Sequence, residues 1–257
     1  MAHRARKRFG QHFLADRDVI ARIVAAVAPA QSDTMLEIGP GLGALTRSLV
    51  GHVEALHAVE IDRDIVARLR AEFPPERLTV HEGDALDYDF AAHGPGLRVV
   101  GNLPYNISSP ILFRLAGSAT TLKDAHVMLQ REVVERMVAA PASPHYGRLS
   151  VMLQYHFAMA QLFAVPAQAF RPPPKVESAF VRMLPAPTHP DCDPALLERV
   201  VRAAFSQRRK TLRNTLKGLF TPPELERLGI DPGARAQQLG LDEFARLANA
   251  LMRGDVE

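Results

Sequence analysis

Apolar positions alternate between two spacings over the first 150 residues. In Asp16–Ala28, Val19, Ile20, Ile23, Val24 and Val27 recur at helical spacing, and Pro29 follows the end. Thr34–Ile38 is a short apolar run closed by Gly-Pro-Gly-Leu-Gly, after which Leu42, Leu45, Leu49 and Val50 resume helical spacing. Ala55–Ile61 is a second run, and Ile65, Val66 and Leu69 predict the helix behind it. Leu78–Val80, Val99–Val100 and Ala125–Leu129 continue the series. Short strands alternating with helical stretches predict an α/β fold, a mostly parallel sheet with helices on both faces.

The pattern changes near residue 148. Leu149–Phe157 and Ser178–Leu184 read as strands joined by the Pro-rich segment Phe170–Lys175, an antiparallel pair at the sheet edge. Pro185–Pro194 reads as a linker. Beyond it only helical patterns follow, over Leu196–Phe205, Lys210–Phe220, Pro222–Leu228 and Leu241–Met252. The expected organisation is an α/β domain over residues 1–186, with an N-terminal arm over 1–15, and a small all-helical domain over 187–257.

Composition narrows the class. An apolar fraction of 47% over 257 residues supplies a sizeable core, and 23% charged residues is ordinary for a globular chain, so wholesale disorder and coiled coil are excluded. No run of 18 uncharged apolar residues exists, so no membrane-spanning helix is expected. The N-terminus is basic and lacks the apolar run of a secretory signal. One cysteine, Cys192, allows neither an internal disulfide nor a Cys-cluster zinc site, which suits a reducing cytoplasm. Ten histidines without metal-ligand spacing predict no metal. Nothing demands more than a monomer.

The net charge of +3 hides two concentrations. Arg4, Arg6, Lys7 and Arg8 open the chain, and Arg199, Arg202, Arg208, Arg209, Lys210, Arg213 and Lys217 crowd residues 198–217 against the single acid Glu198. The remainder is net acidic. Such segregation is the footprint of a polyanion partner, and composition alone also allows a solvated helix face with a basic tail.

Candidate chemistry sits at predicted strand ends. Glu37-Ile38-Gly39-Pro40-Gly41-Leu42-Gly43 joins the first apolar run to its helix, where glycines allow a sharp turn and close approach of a ligand. A dinucleotide fold places its third glycine three residues after the second. Here it follows after two, which with Glu37 ahead favours S-adenosylmethionine over a nicotinamide dinucleotide. Glu60 ends the next strand, where its carboxylate suits both ribose hydroxyls. Asp84 ends the third and is placed to take an adenine amino group.

Gly101-Asn102-Leu103-Pro104-Tyr105-Asn106 ends the fourth strand. It suits methylation of an exocyclic amine. The Asn102 side-chain oxygen and the Leu103 or Pro104 carbonyl can accept both N–H bonds of an adenine N6, turning the nitrogen lone pair toward a methyl donor. Proline keeps the loop rigid, and Tyr105 offers a ring on which a base stacks.

With these motifs together the chain resembles the ribosomal RNA adenine dimethyltransferase family, and within it the branch acting on 16S ribosomal RNA. Further matching stretches are Lys7–Leu14, Val59–Asp62, Gly83–Ala85, Asn106–Pro110, Gln130–Val133, Tyr146–Ser150, Phe170–Val176 and Phe205–Leu212. The resemblance implies a Rossmann-like class I methyltransferase with a seven-stranded sheet. It implies two methyl transfers, from S-adenosylmethionine, to each of two adjacent adenines near the 3′ end of 16S ribosomal RNA in the small subunit, with a role in subunit assembly. It implies that His12, Leu14, Gly39, Gly41, Glu60, Ile61, Asp84, Ala85 and Asn102 border the cofactor. Position 12 is often Asn in the family, and the His here retains hydrogen-bonding capacity. Phe170 would face Tyr105 across the target base as an aromatic clamp. Arg6, Lys7 and Arg8 of the arm, with Arg208, Arg209, Lys210, Arg213 and Lys217, would hold RNA, and the Lys7–Leu14 segment would order on binding. Two other readings stand beside this one: a large-subunit enzyme of the antibiotic-resistance type, and an RNA-binding assembly factor. The long Pro-rich loop and the Phe205–Leu212 stretch favour the small-subunit reading.

Overall fold

A computed structural model describes residues 11–54 and 56–253; Arg6, Lys7 and Arg8 lie outside them. The chain divides into two compact units. The first holds the residues up to Val134 together with Ala158–Pro185; the second holds Glu135–Phe157 and the residues from Ala186 onward.

The first unit carries β1 (Phe13–Leu14), α1 (Arg17–Val27), β2 (Met35–Ile38), α2 (Ala44–Leu49), β3 (Leu56–Glu60), α3 (Arg63–Glu72), β4 (Leu78–Glu82), β5 (Leu97–Asn102), α4 (Ser108–Gly117) and β6 (Leu122–Gln130). α5 (Arg131–Met137) leads out of it. α6 (Arg148–His156) lies in the second unit, and the chain returns through β7 (Phe157–Val165), β8 (Phe170–Arg171) and β9 (Ser178–Pro185). Seven strands form one sheet in the order β4-β3-β2-β5-β6-β9-β7. The pairs β4–β3, β3–β2, β2–β5 and β5–β6 are parallel, and β6–β9 is antiparallel. Parallel pairing sets the carboxyl ends of β2, β3, β4 and β5 along one edge, which is where ligands bind in open α/β sheets.

Local chemistry explains the elements. Asp16 caps α1 by accepting from the N–H groups of Asp18 (2.9 Å) and Val19 (3.1 Å). The helix buries Val19, Ile23 and Val27. β2 is buried at all four positions, as a parallel strand covered on both faces must be. Arg98 on β5 is buried and fully employed. It donates to Asp124 at 2.8–3.1 Å, to Asp33 at 2.5 Å and to the Val27 and Ala28 carbonyls that end α1. Each of its nitrogens has an acceptor, the condition under which a buried guanidinium is tolerated.

The second unit also contains α7 (Pro194–Ala204), α8 (Leu212–Thr215), α9 (Pro222–Arg227) and α10 (Leu241–Arg253). Its core gathers Val151, Met152 and Tyr155 of α6 with Leu197, Val200 and Val201 of α7 and Phe244 and Leu247 of α10.

Three expectations are corrected here. Leu149–Phe157 is not a strand: it forms α6, and the strand β7 begins where the helix ends. Leu149 through Leu153 and Tyr155 are all buried, so no polar face marks the helical period. The single boundary at residue 186 also misplaces Glu135–Phe157, because α6 packs into the C-terminal core. The helical reading of Lys210–Phe220 contracts to α8. The N–H groups of Leu212 and Arg213 go to the Ala234 and Pro232 carbonyls, and turns with Leu216 as acceptor replace a continuing helix.

Candidate active site

The carboxyl edge of the parallel strands encloses a cavity of about 270 Å³ in the first unit. Gly39, Gly41, Glu60, Ile61, Asp84, Ala85, Asn102, Leu103, Pro104, Tyr105, His12 and Leu14 all line it. Residues separated by up to 93 positions in sequence thus meet in one place. Phe170 is the exception.

The loop after β2 is shaped by glycine. Gly39, Gly41 and Gly43 have φ of 65°, 54° and 79°, the left-handed region that side chains disfavour. A Cβ at Gly41 would also lie 2.9 Å from the Phe13 ring. Gly39 N–H donates to the Val59 carbonyl at 3.0 Å, tying the loop to β3.

The acids are held differently. Glu60 accepts from the N–H groups of Asp62 (2.9 Å) and Gly41 (3.3 Å), so its carboxylate is fixed while retaining lone pairs. Burial pushes its pKa up, and those backbone bonds oppose the rise. Glu37 is fully buried and accepts from Thr46 Oγ1 at 2.6 Å; burial, aided by the charge of Glu60, pushes it up to about 7. Asp84 is half-buried and accepts from Leu86 N–H. Among the described lining residues none is Lys or Arg. A glycine cradle and fixed carboxylates, with no Lys or Arg among the described lining residues, suit a cationic ligand bearing a ribose, and an S-adenosyl sulfonium is such a ligand.

Asn102 has a defined orientation. Its amide nitrogen donates to the His12 carbonyl at 2.8 Å. A carbonyl only accepts, so Nδ2 must face His12 and Oδ1 the other way. Leu103 N–H donates to the Met128 carbonyl at 3.1 Å, and the Pro104 carbonyl takes the Ile107 N–H at 3.2 Å. The Tyr105 hydroxyl lies 2.5 Å from Ser178 Oγ on β9, and burial pushes the phenol pKa up.

The expected clamp of Tyr105 and Phe170 is not formed. Phe170 is fully buried: β8 pairs with β1, setting Phe170 beside Leu14 in the core with Val165, Ala169 and Phe180. The ring against Tyr105 is His12, with centroids 5.6 Å apart and planes at 27°. His12 Nδ1 donates to the Pro172 carbonyl at 2.8 Å. Gln11 donates to Asp62 at 3.2 Å, and the Ala15 N–H to the Ala169 carbonyl at 2.8 Å. The described part of the arm, Gln11–Leu14, is thus tied to the first unit by side-chain and main-chain hydrogen bonds. Ser178, which positions Tyr105, has no signature in the sequence; only the β6–β9 pairing brings it there.

In the second unit Arg208, Arg209, Lys210, Arg213 and Lys217 are all exposed. Arg208 donates to the Pro144 carbonyl. Among the described residues no helix is long and apolar enough to cross a membrane.

The chain is similar to known proteins along nearly its whole length. The family model described as ribosomal RNA adenine dimethylase matches residues 2–253. A Chromobacterium violaceum protein named ribosomal RNA small subunit methyltransferase A is 58% identical over 252 residues, covering 97% of this chain and 96% of its own. Among solved structures, a dimethyladenosine transferase from Plasmodium falciparum superposes with a TM-score of 0.83 at 26% identity, covering 95% of this chain and 99% of its own. The 23S rRNA methyltransferase ErmE gives 0.72 at 25% identity, covering 93% and 99%. A Rossmann-like sheet whose acid-lined cavity carries the Asn102–Tyr105 corner, matched end to end by that model, makes this chain a member of the ribosomal RNA adenine dimethylase family and an S-adenosylmethionine-dependent methyltransferase.

Proposed function

We propose that the enzyme dimethylates N6 of two adjacent adenines near the 3′ end of 16S ribosomal RNA in the small subunit. The observation that carries this reading is the Asn102 amide, which the His12 carbonyl turns so that its oxygen faces away as an acceptor. Asn102 Oδ1 and the Leu103 carbonyl accept the two N–H bonds of the adenine amino group. The Pro104 carbonyl is already engaged by Ile107, which favours Leu103 for this role. Held so, the nitrogen presents its lone pair in line, and alignment of this kind contributes roughly 7–11 kcal/mol toward the barrier. The Tyr105 ring supports the base, fixed through Ser178. Phe170 stays in the core, and His12 is the ring available beside Tyr105.

S-adenosylmethionine supplies an electrophilic methyl carbon. Glu60 receives the ribose hydroxyls, Asp84 the adenine amino group, and Gly39 and Gly41 allow close approach of main chain, with Leu14, Ile61 and Ala85 bordering the pocket. No base is required before attack, because the amino proton becomes acidic once nitrogen is alkylated and leaves to solvent.

Arg208, Arg209, Lys210, Arg213 and Lys217, with Arg6, Lys7 and Arg8, bind RNA phosphates. The enzyme acts as a monomer in the cytoplasm. The relative named for the small subunit at 58% identity, against 25% for the 23S enzyme, favours the small subunit over the large. The test is incubation with labelled methyl donor and unmethylated small or large subunits, followed by mapping. Four methyl groups on two neighbouring small-subunit adenines are expected. Label confined to large-subunit RNA overturns the reading, and RNA binding without label leaves the assembly-factor alternative.

A further inference from the structure

Ten histidines are spread along the sequence without ligand spacing, yet the fold collects three of them. His57 lies on β3 and His81 on β4. Side chains alternate between faces along a strand, and the parallel register pairs Val59 with His81. His57, two residues from Val59, therefore shares a face with His81. His93 ends the short 3₁₀ turn Phe90–His93 that follows β4. One ring nitrogen from each of the three lies within 4.8 Å of the other two.

Two distances give the cluster its chemistry. His57 Nδ1 and His81 Nε2 are 3.2 Å apart. Zinc–nitrogen bonds of about 2.0–2.1 Å place two ligands of a tetrahedron about 3.3 Å apart, so this pair already spans one edge. The Tyr88 hydroxyl lies 2.6 Å from His93 Nε2 and is hydrogen-bonded to that ring. The rings are half-buried, and burial pushes all three pKa values down, His57 to about 4; repulsion from neighbouring rings adds to this at His57 and His81, and Asp89 opposes it at His93. The neutral imidazole is the form that ligates metals. Three imidazoles with an oxygen suit zinc, copper or nickel, and not magnesium or calcium.

We propose that His57, His81 and His93 form a binding site for a divalent transition-metal ion, zinc in the first instance, separate from the methyl-transfer cavity. A water molecule completes the tetrahedron. His57 stands three residues ahead of Glu60, which ends β3, and His81 three ahead of Asp84, which lies just past the end of β4. An ion here ties β3, β4 and the Phe90–His93 turn together beneath the acids that hold the cofactor, and its role is to stabilise that edge of the sheet.

The experiment uses the full chain after chelation, titrated with Co²⁺ and then with Zn²⁺. A single equivalent of cobalt with the intense visible bands of a tetrahedral site is expected, displaced by zinc, together with a rise in melting temperature. His93→Gln, on a turn and outside the sheet, removes the bands and the rise; His81→Gln does the same. Both variants keep the melting temperature of the metal-free protein and methylate small subunits within about twofold of the parent. Retention of the bands in both variants puts the ion elsewhere and overturns the site. Absence of saturable binding at micromolar metal also overturns it, leaving a hydrogen-bonded ring cluster.

Discussion

Two residues concentrate the chemistry. Asn102 is useful because it has a donor to spend on His12 and an acceptor left for substrate. Asn102→Ala removes both, and loss of one positioned acceptor costs about 10²–10³ in kcat. RNA affinity is expected to stay within twofold, measured separately by filter binding; an equal loss of both would make Asn102 a structural residue. Glu37 is tuned by burial to about 7. A raised carboxyl pKa means that Glu37 contributes stability in its protonated form, present below about pH 4.5 and lost as pH rises through 7. A cation in the cavity reverses the balance by favouring the ionised form. Donor affinity is therefore expected to climb between about pH 6 and 7.5, and the climb to flatten in Glu37→Gln, as calorimetric titration at several pH values will read. A parent and variant with parallel pH profiles would show that Glu37 does not meet the donor's charge.

At the scale of elements, the site depends on how closely β5 approaches β2. A Cβ on Gly101 would lie 2.6 Å from the Ile38 carbonyl, an atom of main chain that cannot swing aside. Gly101→Ala is expected to cost about 1–3 kcal/mol in urea unfolding. Gly83→Ala, with nothing within 4 Å of the added carbon, is expected to stay within about 0.5 kcal/mol. Similar losses in both would trace the effect to the unfolded chain. Sequence legibility also divides by element. β2, β3, β4 and β5 are readable because a short apolar run in each leads to a residue, at or just past the strand end, that the turn chemistry marks: Gly39, Glu60, Asp84, Asn102. α6 is not, because a helix buried nearly all round shows the same unbroken apolar run as a buried strand. Phe170 escapes for a different reason. Its position follows from a two-residue pairing of β8 with β1 across more than 150 residues, and no local pattern records such a pairing. The histidine cluster is hidden likewise, since β3–β4 register and a 3₁₀ turn assemble it.

At the scale of the whole molecule, charge is divided by task. Acids line the cavity of the first unit with no Lys or Arg among the described lining residues, and the exposed cations of residues 199–217 belong to the second. A small cationic donor reads short-range interactions inside a shielded cavity, whereas a polyanion releases counterions from every phosphate it gives up to a cation. The two affinities should therefore respond differently to salt. Between about 50 and 300 mM salt, donor affinity is expected to change little, while log RNA affinity falls steeply against log salt. Replacing Arg208, Arg209 and Lys210 with Gln should reduce that slope by about 2–3, at roughly 0.7–0.9 for each phosphate that is no longer neutralised. Arg208 already donates to the Pro144 carbonyl. Its single replacement is thus expected to change the slope less than that of Arg209 or Lys210, whose exposed side chains are free to meet RNA. Fluorescence anisotropy with a helix-loop RNA across the salt series reads both quantities. An unchanged slope in the triple variant would move the phosphate-binding surface away from the start of α8, and donor affinity falling in parallel with RNA affinity would mean that the cations act on the cavity instead of on the nucleic acid.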